Sequence, residues 1–86
     1  MQKQLFDFTG LKCPLPVLKA RRALKSMAIG QLAEITADDP AAPIDFQHFC
    51  ETSGHTLEQQ SEQDGLFTFL IRKSDEYKKA FLAGTE

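Results

Sequence analysis

Two cysteines supply the only thiols in the chain, and their surroundings point to different fates. Cys13 lies in the run Gly10-Leu11-Lys12-Cys13-Pro14-Leu15-Pro16-Val17, where an extended segment gives way to a basic amphipathic one. Proline is favoured at the first helical position, because its missing N–H would be unpaired there anyway, and it pushes the residue before it out of helical geometry. Cys13 therefore reads as the N-cap of a helix. A thiol at that end meets free backbone N–H groups and the positive end of the helix dipole, both of which favour thiolate. Such settings bring a cysteine from a pKa of about 8.5 to roughly 3.5–7.5. Pro14 and Pro16 carry no N–H, so the amides left to converge on the sulfur are those of Leu15 and Val17. Pro16 also disfavours helical geometry at Leu15, which lets the regular helix start a residue or two later. The competing reading of Cys13, a small buried hydrophobe, is opposed by the flanking loop, Lys12 and the prolines. For Cys50 the balance reverses: beside Phe49 on an apolar helix face, it reads as core.

Other chemistry finds little support. The cysteines form no CxxC pair and no zinc spacing, and His48 and His55 complete no ligand set, so neither a metal nor another cofactor is implied. Both histidines sit in or beside acidic segments and read as surface or capping residues. No Ser/His/Asp set, paired-carboxylate site or glycine-rich phosphate loop can be assembled.

The elements that must hold Cys13 follow from periodicity. Gln4-Leu5-Phe6-Asp7-Phe8 suits a strand and Thr9-Gly10 ends it. From Pro14 to about Met27, Val17, Ala20, Leu24 and Met27 recur at three- and four-residue steps, widened by Leu18 and Ala28, and the helix ends near Gly30. Arg22 and Lys25 fall where they complement the negative end of its dipole. Leu32, Ala33, Ile35 and Ala37 make a second strand, closed by Asp38-Asp39-Pro40, an acid-before-proline signal for a helix start. Pro40 to Ser53, carrying Ile44, Phe46, Phe49 and Cys50, reads as a second helix that Pro43 can divide and Gly54 stops. His55 to Gln63 is a polar strand anchored by Leu57. Asp64-Gly65 supplies a hairpin turn, and Leu66 to Ile71 alternates as the last strand. Ser74-Asp75-Glu76 can cap a further short helix with Tyr77, Phe81 and Leu82 on one side.

The order βαβαββ, with one apolar face per helix, predicts an α/β two-layer sandwich: two helices on one face of a four-stranded mixed sheet. Its 86 residues fit one domain, residues 1–73, with 74–86 as an extension packed on it or trailing from it. No apolar run approaches the roughly 20 residues that span a bilayer, and the start MQKQLFDF does not read as a secretory signal, which implies no membrane and a cytoplasmic setting.

The net charge of −2 hides an uneven distribution. Residues 8–33 hold five bases (Lys12, Lys19, Arg21, Arg22, Lys25) and no acid, whereas residues 26–71 hold eight acids and no Lys or Arg. That asymmetry suggests a positive surface around Cys13, able to steer an acidic protein patch or a phosphate backbone; the same residues also read as ordinary solvated faces. No aromatic side chain interleaves with the bases of residues 12–25, which disfavours direct binding of nucleic acid by base stacking.

Taken together, Phe6 to Val17, then Ala37-Asp38-Asp39-Pro40-Ala41, Asp45, Phe49-Cys50, Gly54-His55, Asp64-Gly65 and Phe69-Leu70-Ile71-Arg72-Lys73 resemble the TusA-like (SirA-like) sulfur-carrier family with its Cys-Pro-x-Pro signature. The resemblance covers nearly the whole chain to Lys73. It implies a βαβαββ sandwich whose Cys13 receives sulfane sulfur as a persulfide from a cysteine desulfurase or rhodanese-like donor and passes it to an acceptor protein. Members feed tRNA thiolation, molybdenum-cofactor enzymes or sulfur oxidation. Lys12, Pro14, Leu15, Pro16 and Val17 would support Cys13. Lys19, Arg21, Arg22 and Asp45 would meet partners, with Asp7 and Asp45 structural or partner-contacting and not catalytic. Pro43 and the tail from Ser74 depart from the family pattern. Two further readings stay open: a non-enzymatic regulatory, protein- or RNA-binding module using helix 14–28, and a thiol peroxidase or redox sensor lacking an obvious resolving cysteine.

Overall fold

A computed structural model describes residues 3–74. Along the chain run β1 (Lys3–Asp7), α1 (Leu15–Lys25), β2 (Leu32–Ala37), α2 (Ala42–Ser53), β3 (Thr56–Gln63) and β4 (Leu66–Arg72). The order is the one expected. The short helix expected after Ser74 lies outside the described residues.

The strands form one mixed sheet in the order β1-β2-β4-β3. β2 runs parallel to β1, pairing Phe6 with Ile35, and antiparallel to β4, pairing Ile35 with Phe69. β3 closes the far edge against β4, with one irregularity between Leu57 and Gln59. Its run of Glu, Gln and Ser gives an exposed edge that discourages pairing with another chain. The hairpin turns on Asp64 (φ 55°) and Gly65 (φ 83°), a pair of left-handed residues whose twist matches that of antiparallel strands.

The two-residue period of β2 decides which face is covered. Ala33, Ile35 and Ala37 are fully buried, while Leu32, Glu34 and Thr36 are only half-buried on the other side. Both helices pack on the buried face, where Ala20 and Leu24 of the first, with Met27 just beyond its end, meet Phe46, Phe49 and Cys50 of the second over Phe69 and Ile71. Phe46 stacks on Phe69 with ring centroids 4.6 Å apart and meets Phe49 edge-on at 6.5 Å. Leu57 anchors β3 at the margin of this core, as anticipated.

Several sequence expectations are corrected. Leu18 and Ala28 do not widen the buried stripe of α1; both are exposed. Ile44 belongs to no core face, being 72% exposed. Pro43 does not divide α2, because it falls in the first turn, where the absence of its N–H costs nothing. His55 is not on the surface: it is 4% exposed, packs against Phe49, and its Nδ1 accepts the N–H of Ser74. α2 ends at Gly54 in a left-handed conformation (φ 92°), as its position suggested. At the end of α1, the buried Lys73 ammonium donates to the Leu24 carbonyl, placing a cation on the negative end of the dipole.

Candidate functional site

The loop Phe8–Pro14 leaves the C-terminal end of β1, and the segment Asp38–Ala41 leaves the C-terminal end of β2 beside it. Loops at the carboxyl ends of adjacent parallel strands are a common place for a site in open α/β sheets. Here the second loop fastens the first. Asp38 Oδ1 accepts the N–H of Gly10 at 3.0 Å, and Asp39 Oδ2 accepts the N–H of Cys13 at 2.5 Å. Asp39 also takes the N–H of Ala41 through Oδ1 and that of Ala42 through its carbonyl, so one residue ties Cys13 to the entrance of α2. Beyond closing β2 and leading into α2, as its sequence suggests, the Asp38-Asp39 pair clamps the cysteine loop. Spacing could not reveal this, since the contact spans 26 residues.

Cys13 is exposed, as a sulfur serving a bulky partner requires, but it is not an N-cap. The Leu15 N–H donates to the Lys12 carbonyl at 2.8 Å, turning the chain through Cys13 and Pro14, whose peptide bond is cis. Pro14 is the N-cap, and its carbonyl accepts the first helical bond, from Leu18. Leu15 is helical despite preceding Pro16, and Pro16 is buried in the first turn. Of the two amides expected to converge on the sulfur, that of Leu15 is therefore spent on Lys12.

The electrostatics reverse the expected sign. Hydrogen bonding with the carboxylate of Asp45, in the first turn of α2, followed by partial desolvation and the charges of Asp45 and Asp39, pushes the Cys13 thiol above the ordinary cysteine range. Cys50 is 6% exposed, and burial pushes its thiol up to about 11, so it is a core residue as anticipated.

The remaining residues singled out in the sequence divide by position. Lys12, Lys19, Arg21 and Arg22 are all exposed, with the Arg21 guanidinium 5.4 Å from the centre of the Phe49 ring. Asp7 is structural: its carboxylate accepts the hydroxyl and the N–H of Thr9 and the hydroxyl of Thr36, bonds that hold it below the usual carboxylate range. Val17 is half-buried against the core. Leu15, Leu18 and Ile44, at 45%, 50% and 72% exposure, are apolar side chains left in solvent, the first two in the opening turns of α1 and the third beside Asp45 in the chain. Their sequence signal was ambiguous, because an apolar residue at helical spacing reads as core.

Similarity to known proteins agrees with this architecture. A family model described as sulfurtransferase TusA matches residues 4–73. A protein of Neisseria meningitidis is 47% identical over 72 residues, covering 84% of this chain and 97% of its own length. The sulfur carrier protein TusA of Allochromatium vinosum is 42% identical over 71 residues, covering 83% and 93%, and that of Pseudomonas putida 41% over 69, covering 80% and 86%. The crystal structure of a SirA-like protein from Desulfitobacterium hafniense superposes with a TM-score of 0.72 over 86% of this chain and all of its own; at 24% identity it speaks for the fold. With its family model spanning both Cys13 and the clamp that holds it, the chain belongs to the TusA family.

Proposed function

We propose that the protein is a sulfur carrier in which Cys13 takes sulfane sulfur from a cysteine desulfurase or rhodanese-like donor and holds it as a persulfide. The sulfur then passes to an acceptor thiol on another protein. The observation that carries this reading is that Cys13 is exposed and fastened at a loop built for it, while Cys50 is enclosed in the core. An exposed cysteine without an accessible second thiol can hold an outer sulfur that would otherwise be lost to an internal disulfide.

The transfer is an exchange at sulfur. Cys13 thiolate attacks the outer sulfur of R–S–SH, the new S–S bond forms as the old one breaks, and the donor sulfur leaves as thiolate and takes up a proton. Donor and acceptor exchange roles in the second half. Leu15, Leu18 and Ile44 offer apolar contact, and Lys12, Lys19, Arg21 and Arg22 a basic rim, for acidic loops of these proteins in the cytoplasm. The burial of Cys50 also weighs against the redox-sensor reading, which needs a resolving thiol.

Incubation with a cysteine desulfurase and cysteine should raise the intact mass by one sulfur atom, and reducing agent should remove it. Cys13→Ser should show no gain, and Cys50→Ser a full one. A gain that persists in Cys13→Ser would sink the assignment.

A further inference from the structure

The segment that carries Cys13 is fastened by very little. From Phe8 to Leu15 no side chain is buried, so the packing that fixes the helices does not reach it. Phe8 is tied to β2 by its N–H, which donates to the Thr36 carbonyl at 2.8 Å, and the buried Pro16 anchors the other end in α1. Between them, the backbone bonds that reach a distant part of the chain are, among the described residues, those of the Gly10 N–H to Asp38 and the Cys13 N–H to Asp39. The second ends on the cysteine itself, is 2.5 Å long, and has a carboxylate as its acceptor. Its base is also the firmer one. Asp39 is half-buried between Ala37 and Ala42 in the chain, which are at most 1% exposed. Its Oδ1 takes the N–H of Ala41 at 3.3 Å and its carbonyl that of Ala42 at 2.8 Å, so the residue that grips Cys13 is built into the entrance of α2.

We propose that Asp39 is a positioning residue for sulfur transfer: by holding the Cys13 N–H at the entrance of α2, it fixes the direction from which the exposed sulfur meets a persulfide held by another protein. This deepens the sulfur-carrier reading and rests on it. Cys13–S⁻ attacks the outer sulfur of R–S–SH in line with the bond that breaks; the Cys13–S bond forms, the R–S bond breaks, and R–S⁻ takes from solvent the proton that Cys13 gave up. A small reagent can turn to meet a loosely held thiolate. A persulfide fixed in a partner's site cannot, so the carrier's own backbone has to supply the angle, and a misplacement of about 1 Å can cost a hundredfold in rate. Asp39 gives and takes no proton in this step and acts through the backbone alone.

The chemistry of the bond decides which replacements serve. Asn keeps one oxygen, which can still accept from Cys13 at the expense of the longer bond to Ala41. Ala accepts from neither. Both variants remove the same negative charge, so a difference between them reports the hydrogen bond and not the field at the sulfur.

Three measurements on the purified full-length protein, in a Cys50→Ser background, test the positioning role. Hydrogen exchange of the Cys13 amide, followed by NMR, should be slow in the parent and in Asp39→Asn and fast in Asp39→Ala. Alkylation of Cys13 by iodoacetamide, a small neutral probe, should run at equal rates in Asp39→Asn and Asp39→Ala. Loading from a persulfidated cysteine desulfurase should separate the two: in Asp39→Ala the rate at saturating donor falls about tenfold or more while the half-saturating donor concentration hardly moves, and Asp39→Asn recovers most of the loss. Asp39→Ser, whose hydroxyl can still take the Ala41 N–H but is too short to reach Cys13 as well, supports the entrance of α2 and should load as poorly as Asp39→Ala. A purely structural role would lower alkylation and loading together, and that result would overturn the proposal. So would Asp39→Ser loading at the parent rate, or Asp39→Asn loading no better than the serine variant, in a protein whose parent loads normally. A parent that loads from no donor would overturn the sulfur-carrier reading, and the positioning role with it.

Discussion

Cys13 and Cys50 share a side chain and differ in what surrounds it, and the difference sets opposite predictions for their titration. Cys13 is exposed, and its thiol is raised first by hydrogen bonding with Asp45. Cys50 is raised by burial alone, so only unfolding releases it. Its folded value of about 11 stands above the ordinary 9.0, which means that Cys50 favours the folded state fully below 9.0. That contribution declines as the pH rises from 9.0 and is gone above about 11, where the buried thiol must ionise. Urea midpoints measured from neutral to alkaline pH should therefore fall in the wild type and fall less in Cys50→Ala. Equal alkaline losses in the two proteins would contradict the assignment of Cys50 to the core.

At the scale of elements, the site depends on where helices begin and end. Pro14 and Pro16 define the start of α1, and the Asp38-Asp39 turn holds the preceding loop at the entrance of α2. Gly54 ends α2 with φ at 92° and sends the chain into β3, its N–H donating to the Cys50 carbonyl at 2.9 Å. A left-handed backbone costs an L side chain about 1–2 kcal/mol, so Gly54→Ala should lower the unfolding free energy by that amount in urea titrations. Sulfur loading of the folded fraction should be unchanged, because Gly54 lies at the end of α2 remote from its first turn. The hairpin, the order of elements along the chain and the stop of α2 at Gly54 were legible in sequence, since each rests on local backbone preference, whereas α1 ends at Lys25, short of the stop expected near Gly30. The start of α1 was misplaced by a residue. Local rules recognised proline as a helix starter but could not show that Lys12 would claim the Leu15 amide.

For the whole molecule, one aromatic stack joins the two layers. Phe46 of α2 is fully buried against Phe69 of β4, in contact with Phe49, which also carries Arg21 of α1 on its ring. Truncating a buried phenylalanine costs about 3–5 kcal/mol. Domains of this kind have only about 5–15 kcal/mol of stability in total, so Phe46→Ala should bring the protein close to unfolding. Thermal melts should show a large fall in Tm, and a shift of only a degree or two would mean that the core is held elsewhere. The same packing fixes α2, whose first turn carries Asp45, on the sheet.

Hydrophobic period, turn residues and proline placement act between near neighbours in the chain, and they sufficed for the βαβαββ order, the sandwich and the choice of Cys13 over Cys50. The charge pattern also pointed to a basic α1, whose cations do lie in solvent. What chain-local rules could not supply is the environment of the sulfur. The bases nearest in sequence do not govern it; two acids 26 and 32 residues downstream do, brought there by the parallel pairing of β1 with β2 and the packing of α2. Hydrogen bonds and charge act through space over a few ångströms, and only the tertiary fold decides which groups come that close. Sequence alone therefore singled out Cys13 as the candidate, and the fold decided which groups act on its thiol.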